Sequence, residues 1–363
     1  MKILICLGTR PEIIKMSTVI KELKKVQHIK CVVCLSGQHK ELAENVAKEL
    51  GIDFDYNLNV MRKDQSLQYI LSAIIVDLAR VIKQEKPDYI VVHGDTSTCF
   101  ASSLCSFYEH IPVIYVEAGW RSSEIKIPFP EEMHRRLVTK IAQYFICSTE
   151  GNYDNLISEG VDGRNVFVVG NPIIDVLKQT ISAEYIFKNK DLNDFMDKKI
   201  VLITFHRREN RDKVFALLKI INKLACENSK LEFLWIAHPN NIDLVSKLFY
   251  CTKNFKFIKP LGINDMHNLI FRSVIIITDS GGIQEEANIL KRNTIILRKN
   301  IEREELIDSF SVLAEVKFDC IKKYIEYFLN KEEVQNEDYK QAALVGKRIS
   351  DIIQEVSCGK ENG

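Results

Sequence analysis

Three acidic side chains stand where chemistry could take place in the first half of the sequence. Asp95 and Glu117 each follow a short apolar, β-branched run, and Glu131 opens a segment with helical spacing. Because parallel strands end at one edge of a sheet, we expect the first two acids to reach a common crevice. Crowded carboxylates shift each other's pKa, which suits them to proton transfer. The set therefore predicts acid–base catalysis, and helix capping is the alternative for Glu131.

A glycine and two cations follow the first apolar run of the sequence. Gly8 permits a tight turn from a strand into a helix, and Pro11 suits the first position of that helix. Arg10 and Lys15 would place positive charge beside the helix N-terminus, which attracts anions. The segment predicts an anion site, and a plain strand-to-helix turn with surface charges is the alternative.

Two histidines follow consecutive predicted strands in the second half of the chain. His206 comes after the run at 200–205, and His238 comes after the run at 232–237. Histidines at successive strand ends are expected to contact a ligand, whereas a lone histidine is more often a structural residue. We therefore predict ligand contacts for both, and the structural alternative is stronger for His238.

The segment DSGGIQEE at 279–286 predicts a diphosphate site. It enters a helix directly after an apolar run, and its two glycines let backbone N–H groups approach phosphate oxygens. An acid in the first turns of such a helix can bind ribose hydroxyls. A tight turn with acidic capping is the alternative. The sequence has neither G-x-G-x-x-G nor the P-loop pattern, so it supports no dinucleotide or P-loop site.

Short apolar runs alternate with longer segments of helical spacing along the whole chain. Continuous apolar strands are typical of a parallel sheet that helices cover on both faces, which predicts doubly wound, Rossmann-like α/β domains. The series stops near Gly170 and restarts after a polar stretch, so the length and the pattern both predict two domains. The predicted strands are 2–7, 30–35, 89–92, 113–116, 144–147 and 166–169 in the first series, and 200–205, 232–237, 255–258, 274–278 and 294–297 in the second.

We expect residues 1–171 to form an α/β domain with the acids, and residues 172–345 to form a second α/β domain with the diphosphate site. Residues 346–363 are expected to form a helix and a tail that cross back onto the first domain. Two such domains would present their strand ends to a shared cleft.

The composition limits the partners that this chain can have. Its 363 residues include 50 basic and 49 acidic side chains, and the near-zero balance disfavours a nucleic-acid surface and a polybasic membrane patch. Cys31 and Cys34 form a C-x-x-C, but no second pair follows at zinc-ligand spacing, so no metal is expected. No apolar run reaches the roughly 20 residues of a membrane span, which predicts a cytoplasmic protein.

Taken in order along the chain, the motifs resemble those of the non-hydrolysing UDP-N-acetylglucosamine 2-epimerases. The resemblance spans most of the sequence, and the ordered set is more specific than any of its members. The motifs are GTRPEIIK at 8–15, SGQH at 36–39, HGDT at 93–96, EAGWRS at 117–122, PFPEE at 128–132, HRREN at 206–210 and DSGGIQEE at 279–286.

The resemblance implies a GT-B type fold and an enzyme, usually a homodimer, that interconverts UDP-GlcNAc and UDP-ManNAc without a metal, a nicotinamide or another cofactor. Such enzymes are thought to eliminate UDP across C1 and C2 to give a 2-acetamidoglucal, and then to add UDP back. This path requires a base, an acid on the opposite face and positive groups around the diphosphate. The resemblance implies that Asp95, Glu117 and Glu131 are the catalytic carboxylates and that His206 is the catalytic histidine.

The same resemblance implies how the nucleotide sugar is bound. Cations of the first domain would stabilise the departing diphosphate, and the glycine turn of the second domain would bind phosphate oxygens beside an acid that binds the ribose. The implied substrate-binding residues are Arg10, Lys15, His238, Ser280, Gly281, Gly282 and Glu286.

Several positions depart from the family pattern, and two of them lie close to the predicted catalytic acids in the sequence. His134 stands where bacterial members usually have Asn, and Trp120 replaces a smaller apolar residue. These departures leave the acids in place, and they bear on which substituents the bound sugar has. The alternatives are a hydrolysing 2-epimerase that releases ManNAc and UDP, a 2-epimerase for a UDP-diacetamido-uronic acid, and a GT-B glycosyltransferase.

Overall fold

The computed structural model describes residues 1–37, 40–62, 65–195, 197–237, 253–298, 308–331, 338–342 and 344–358. The chain divides into two compact units, of which the first comprises Met1–Val176 with Ala343–Gly363 and the second comprises Leu177–Ala342. Each unit is built on one parallel sheet with helices beside it. The predicted pair of doubly wound α/β domains is therefore confirmed.

Thirteen strands are present in the described part of the chain, seven in the first sheet and six in the second. All neighbouring strands in both sheets pair in parallel. The strands are β1 (Lys2–Leu7), β2 (Lys30–Leu35), β3 (Tyr56–Asn57), β4 (Tyr89–His93), β5 (Val113–Ala118), β6 (Tyr144–Cys147), β7 (Val166–Val168), β8 (Lys199–Thr204), β9 (Leu231–Ile236), β10 (Phe255–Ile258), β11 (Ser273–Thr278), β12 (Asn293–Ile296) and β13 (Ser311–Leu313).

Helices connect the strands, as a parallel sheet requires. Within the described residues they are α1 (Arg10–Lys24), α2 (Lys40–Leu50), α3 (Leu67–Glu85), α4 (Ser97–Tyr108), α5 (Glu131–Ile141), α6 (Glu150–Ser158), α7 (Ile173–Thr180), α8 (Val214–Glu227), α9 (Ile263–Arg272), α10 (Gly281–Ile289), α11 (Phe318–Leu329), α12 (Asp338–Gln341) and α13 (Val345–Cys358).

The order of the strands is the same in both units. The first sheet runs β3-β2-β1-β4-β5-β6-β7, and the second runs β10-β9-β8-β11-β12-β13. The direction of winding therefore reverses between β1 and β4 in one sheet and between β8 and β11 in the other. Open α/β sheets bind ligands at the carboxyl ends of the strands that flank such a reversal. The four turns after these strands are thus the positions where each unit is built to bind a ligand.

The strands of the first sheet are apolar on both faces because helices cover both. Leu4 and Cys6 of β1 belong to a core cluster that includes side chains of α3 and α4. Ile3, Ile5 and Leu7 point to the opposite face, since side chains alternate along a strand, and they are fully buried as well. This burial explains the continuous apolar runs from which the parallel sheet was predicted.

The last helix of the described chain, α13, packs against α1 in the first unit. The Asp175 carboxylate in α7 accepts hydrogen bonds from the backbone N–H groups of Val345 at 3.2 Å and Gly346 at 2.7 Å. These bonds satisfy N–H groups that have no partner within the first turn of a helix. Asp175 therefore anchors the N-terminal end of α13.

We expect Gly346→Ala to destabilise the first unit, because α1 and α13 approach closely at this glycine. A Cβ at Gly346 would lie 2.6 Å from Oγ1 and 3.0 Å from the carbonyl carbon of Thr18. Overpacking of this kind costs about 1–3 kcal/mol, so the midpoint of thermal unfolding should fall. Gly282→Ala is the matched control, because no described atom would lie within 4 Å of its added methyl. Equal unfolding midpoints for the two variants would contradict the prediction.

Candidate active site

Glu12 connects the turns that follow β1 and β4. One of its carboxylate oxygens, Oε2, accepts from the backbone N–H of Gly8 at 2.8 Å and of Thr9 at 2.6 Å. The other, Oε1, accepts from the hydroxyl of Thr96 at 2.7 Å. Burial raises the pKa of Glu12, while the bond from Thr96 opposes this shift. Sequence reasoning did not single out Glu12, although the Thr9-x-x-Glu12 spacing is a capping signal that could have identified it.

Gly8 allows the turn after β1 to contact the start of α4. A Cβ at this position would lie 2.0 Å from Oγ1 of Thr98 and 2.9 Å from Oγ of Ser36. These two hydroxyls are themselves 2.8 Å apart and hydrogen-bonded. The glycine is therefore required for close packing at the point where the winding of the sheet reverses.

Glu117 is a buried carboxylate held by two other side chains. Its Oε2 atom lies 2.6 Å from Nζ of Lys15 and 2.9 Å from Nε2 of His93. The side chain of Glu117 is only 6% exposed, and the two partners are similarly buried. The contacts join α1, β4 and β5, so side chains from three elements of the first unit meet at one oxygen atom.

The backbone at Glu117 departs from regular strand geometry. Its φ angle is +63°, in the left-handed region that side chains other than glycine seldom adopt. The register between β5 and β6 shifts between Val116 and Ala118, which marks a bulge at the same residue. Bulges turn a side chain away from its regular direction, and unfavourable backbone geometry concentrates at functional sites. This geometry therefore supports a functional role for Glu117.

Lys15 and Arg10 were both predicted to bind an anionic ligand. The structure places the ammonium group of Lys15 on Glu117, a predicted catalytic acid, and this contact was not predicted. Arg10 begins α1 and is partly exposed. The two cations thus occupy different environments within the same helix.

Asp95 lies in the turn after β4 and is held by α5. Nη1 of Arg135 donates to its Oδ2 at 2.7 Å, and Nδ1 of His134 lies 2.8 Å from its backbone oxygen. The His134 ring stacks on Phe100 with centroids 5.2 Å apart. Burial lowers the pKa of His134, so the neutral ring donates from Nδ1 to the carbonyl of Asp95. The Asp95 side chain remains 28% exposed and can meet a ligand.

The two acids at the start of α5 differ in their surroundings. Glu132 is fully buried and accepts from Nε of Arg135 at 2.9 Å, from Nε of Arg136 at 2.8 Å and from the backbone N–H of Ser122 at 3.1 Å. It therefore fixes the connection between β5 and α5. Glu131, the acid singled out from the sequence, is the first residue of α5 and is only partly buried.

In the second unit, Asp279 joins the turns after β8 and β11. This fully buried carboxylate accepts from the backbone N–H groups of His206 at 3.1 Å and Arg207 at 3.0 Å, and from Nδ2 of Asn210 at 3.1 Å. The His206 side chain is 37% exposed, with Nδ1 located 3.6 Å from Oδ1 of Asp279. Asp279 thus fixes the position of the predicted catalytic histidine, a role that the sequence did not reveal.

The predicted diphosphate turn begins α10. Ser280 precedes this helix, and its backbone N–H donates to Oγ1 of Thr278 at 2.9 Å. Gly281 and Gly282 are the first helical residues, and a Cβ at Gly282 would meet no described atom within 4 Å. The first turn of α10 therefore combines a positive helix end with space for an anion.

Glu286 lies in the next turn of α10 and contacts a buried histidine. Its Oε1 is 3.6 Å from Nε2 of His267, whose Nδ1 is 2.7 Å from the hydroxyl of Thr180. The Glu286 side chain is 13% exposed. His238, the remaining predicted contact, lies outside the described residues.

Each unit thus places its own predicted site residues at its reversal of strand order or next to it. In the first unit these are Arg10, Lys15, Asp95 and Glu117, with Glu131 at the start of the neighbouring α5; in the second they are His206, Ser280, Gly281, Gly282 and Glu286. The described residues include no group of three His, Cys, Asp or Glu side chains that could hold a metal ion. Among them there is also no helix of the length and apolarity that a membrane span requires.

Comparisons with known proteins agree with this arrangement. A family model described as UDP-N-acetylglucosamine 2-epimerase matches residues 21–354. The UDP-N-acetylglucosamine 2-epimerase of Neisseria meningitidis serogroup A is 39% identical over 321 residues, which cover 86% of this chain and 86% of that protein.

Solved structures extend the similarity over nearly the whole fold. The Neisseria meningitidis UDP-GlcNAc 2-epimerase bound to UDP-GlcNAc matches with a TM-score of 0.86 and 34% identity, over 99% of this chain and 100% of that one. The Methanocaldococcus jannaschii UDP-GlcNAc 2-epimerase in complex with UDP-GlcNAc and UDP matches with a TM-score of 0.85 and 33% identity, over 98% of this chain and 100% of that one. The two doubly wound units agree with the GT-B type of fold that the motifs implied. The chain belongs to the UDP-N-acetylglucosamine 2-epimerase family.

Proposed function

We propose that this protein is a non-hydrolysing 2-epimerase that interconverts UDP-GlcNAc and UDP-ManNAc. The observation on which the proposal depends is the Glu117 carboxylate, which is buried in a bulged strand end and held by Lys15 and His93. Asp95 follows the adjacent strand, so one unit offers two carboxylates at neighbouring strand ends. Two acids in such positions suit a reaction that removes a proton on one face and returns it on the other.

The chemistry follows from the weak acidity of the hydrogen on C2. A carboxylate takes this proton, the electron pair of the C2–H bond forms a double bond between C1 and C2, and the C1–O bond breaks with its electrons going to UDP. The product pair is a 2-acetamidoglucal and UDP. Re-addition of UDP at C1, with a proton delivered to the other face of C2, completes the inversion. We assign the two proton transfers to Asp95 and Glu117, and we assign to Glu131 a role in assisting them or in positioning the sugar.

The second unit has the groups that a uridine diphosphate requires. The backbone N–H groups of Gly281 and Gly282, together with the hydroxyl of Ser280, would bind phosphate oxygens at the positive end of α10. His206 would stabilise or protonate the leaving diphosphate, and Glu286 would bind the ribose. The related structures that contain UDP-GlcNAc or UDP support the same class of ligand here.

Incubation with UDP-GlcNAc in D2O, followed by NMR, tests this function. We expect deuterium at C2 and the appearance of UDP-ManNAc. Release of free ManNAc with UDP would show a hydrolysing enzyme, in which the same elimination is not followed by re-addition of UDP. Absence of C2 exchange would contradict both and would favour transfer of the sugar to an acceptor.

A further inference from the structure

We propose that His93 is a positioning residue for Glu117, and that it acts on proton transfer at C2 and not on substrate binding. The proposal rests on the function proposed above, because it assigns a proton-transfer role to Glu117. His93 is the first residue of the HGDT motif at 93–96, but no role was predicted for it from the sequence.

The first support is the position of His93 in the sheet. It is the last residue of β4 and pairs in register with Val116 of β5, directly before the bulged Glu117. The imidazole is 4% exposed, and its Nε2 lies 2.9 Å from Oε2 of Glu117. The bulge turns the Glu117 side chain out of regular strand geometry. In this orientation the carboxylate contacts the His93 ring on the neighbouring strand.

The second support is that Lys15 contacts the same oxygen atom. Lys15 reaches Oε2 of Glu117 from α1 on a flexible four-carbon stem, which supplies charge but defines direction poorly. The His93 ring has only two side-chain torsions, so the contact of its Nε2 with Oε2 restricts the position of the carboxylate more narrowly. This contact is close in distance, but the ring is not aligned for a hydrogen bond. Lys15 therefore contributes positive charge to the Glu117 carboxylate, and His93 contributes its position.

The third support is the electrostatic coupling of His93 to Glu12. Burial raises the pKa of Glu12, and attraction by His93 opposes that shift. Glu12 is in turn bonded to the backbone after β1 and to Thr96, next to Asp95. His93 thus acts on a carboxylate that connects the turn after β1 to the turn that contains Asp95.

Orientation matters for this reaction because the carboxylate has to meet a weakly acidic C–H bond. A misplacement of about 1 Å can lower a rate by roughly 100-fold while binding is retained. The uridine diphosphate contacts proposed for His206 and for the first turns of α10 come from the second unit, so they do not depend on His93. The inference therefore predicts a loss in kcat with KM and the UDP affinity preserved.

The test compares three substitutions in the full-length protein. His93→Asn has an amide too short to reach Glu117, and we expect kcat for UDP-GlcNAc epimerisation and for C2 deuteration to fall by about 10- to 100-fold. His93→Gln has an amide N–H at nearly the reach of Nε2, and we expect it to recover at least a third of the wild-type kcat. His28→Asn is the control, since His28 is exposed in the first unit. KM and the Kd of UDP, measured by titration calorimetry, should stay within about threefold in all three variants.

Several results would overturn the inference. Wild-type kcat in His93→Asn would show that the contact with Glu117 is not needed. Equal losses of kcat in the Asn and Gln variants would show that a polar nitrogen at the position of Nε2 is not what matters. A large rise in KM would assign His93 to binding instead. If one of the two His93 variants fails to fold, the kcat of the other is still compared with its own expected value, which is a loss for Asn and a recovery for Gln. Absence of C2 deuteration in the wild-type protein would reject the proposed function, and this inference with it.

Discussion

Glu117→Gln is expected to lower the rate of C2 deuteration by about 100-fold or more, because the amide cannot accept the proton that the carboxylate takes. Asp95→Asn is expected to give a loss of the same order if the two acids serve opposite faces of the sugar. The rates are measured by NMR in D2O with UDP-GlcNAc, and from the UDP-ManNAc side for the reverse reaction. Binding of UDP should be retained in both variants.

The two amide variants are expected to differ in stability. Glu117→Gln breaks the buried ion pair with Lys15, and breaking a buried ion pair costs about 3–5 kcal/mol. Asp95 is 28% exposed, and its buried partner Arg135 keeps the ion pair with Glu132, so Asp95→Asn should be nearly as stable as the wild type. Glu326→Gln, at a 60% exposed position of α11, is the control for loss of one acidic side chain. Near-normal deuteration in both Glu117→Gln and Asp95→Asn would remove the roles assigned to these acids.

The second large effect is expected at Asp279. Asp279→Ala removes the acceptor for two backbone N–H groups and the Asn210 side chain, all in the turn after β8. Leaving buried donors without an acceptor costs about 1–3 kcal/mol each, so the second unit should unfold at clearly lower urea concentration. Because the same turn positions His206, the affinity for UDP should also fall, by about tenfold or more.

Asp279→Asn is the matched variant for this prediction. It keeps the shape and one acceptor oxygen of the side chain. The losses of stability and of UDP affinity should therefore be smaller than in the alanine variant. Urea unfolding followed by intrinsic fluorescence measures the first effect, and titration calorimetry with UDP measures the second. An alanine variant with wild-type stability and wild-type UDP affinity would show that Asp279 does not organise the turn.

The sheets could be predicted from the sequence where strands are long and buried on both faces. The runs at β1, β4, β5, β8 and β11 have this character, and the structure contains strands at each. Two edge strands, β3 and β13, were missed because they comprise only two and three residues. Each also contains a polar residue that interrupts its apolar run, whereas the equally short β7 lies within the continuous run at 166–169.

The site could be predicted in part, because residues that follow strands reach the carboxyl edge of a parallel sheet. What the sequence could not supply were the partners of those residues. Lys15 and Glu117 are 102 positions apart, and only the folded sheet brings them together. The positive φ of Glu117 is equally hidden, since a glutamate gives no local signal for it. Arg135 and Asp279 were missed for the same reason, because each acts through a neighbour that is distant in sequence.

The anchoring of α13 by Asp175 has a practical consequence for the length of the polypeptide. Shortening the chain so that it ends before Val345 would remove the cover from one side of α1, the helix that contributes Lys15 to the Glu117 contact. The stability of the N-terminal unit would thus depend on a helix at the other end of the sequence. Expression of residues 1–176 alone should yield an unstable protein, and supplying residues 343–363 as a separate peptide should improve its yield.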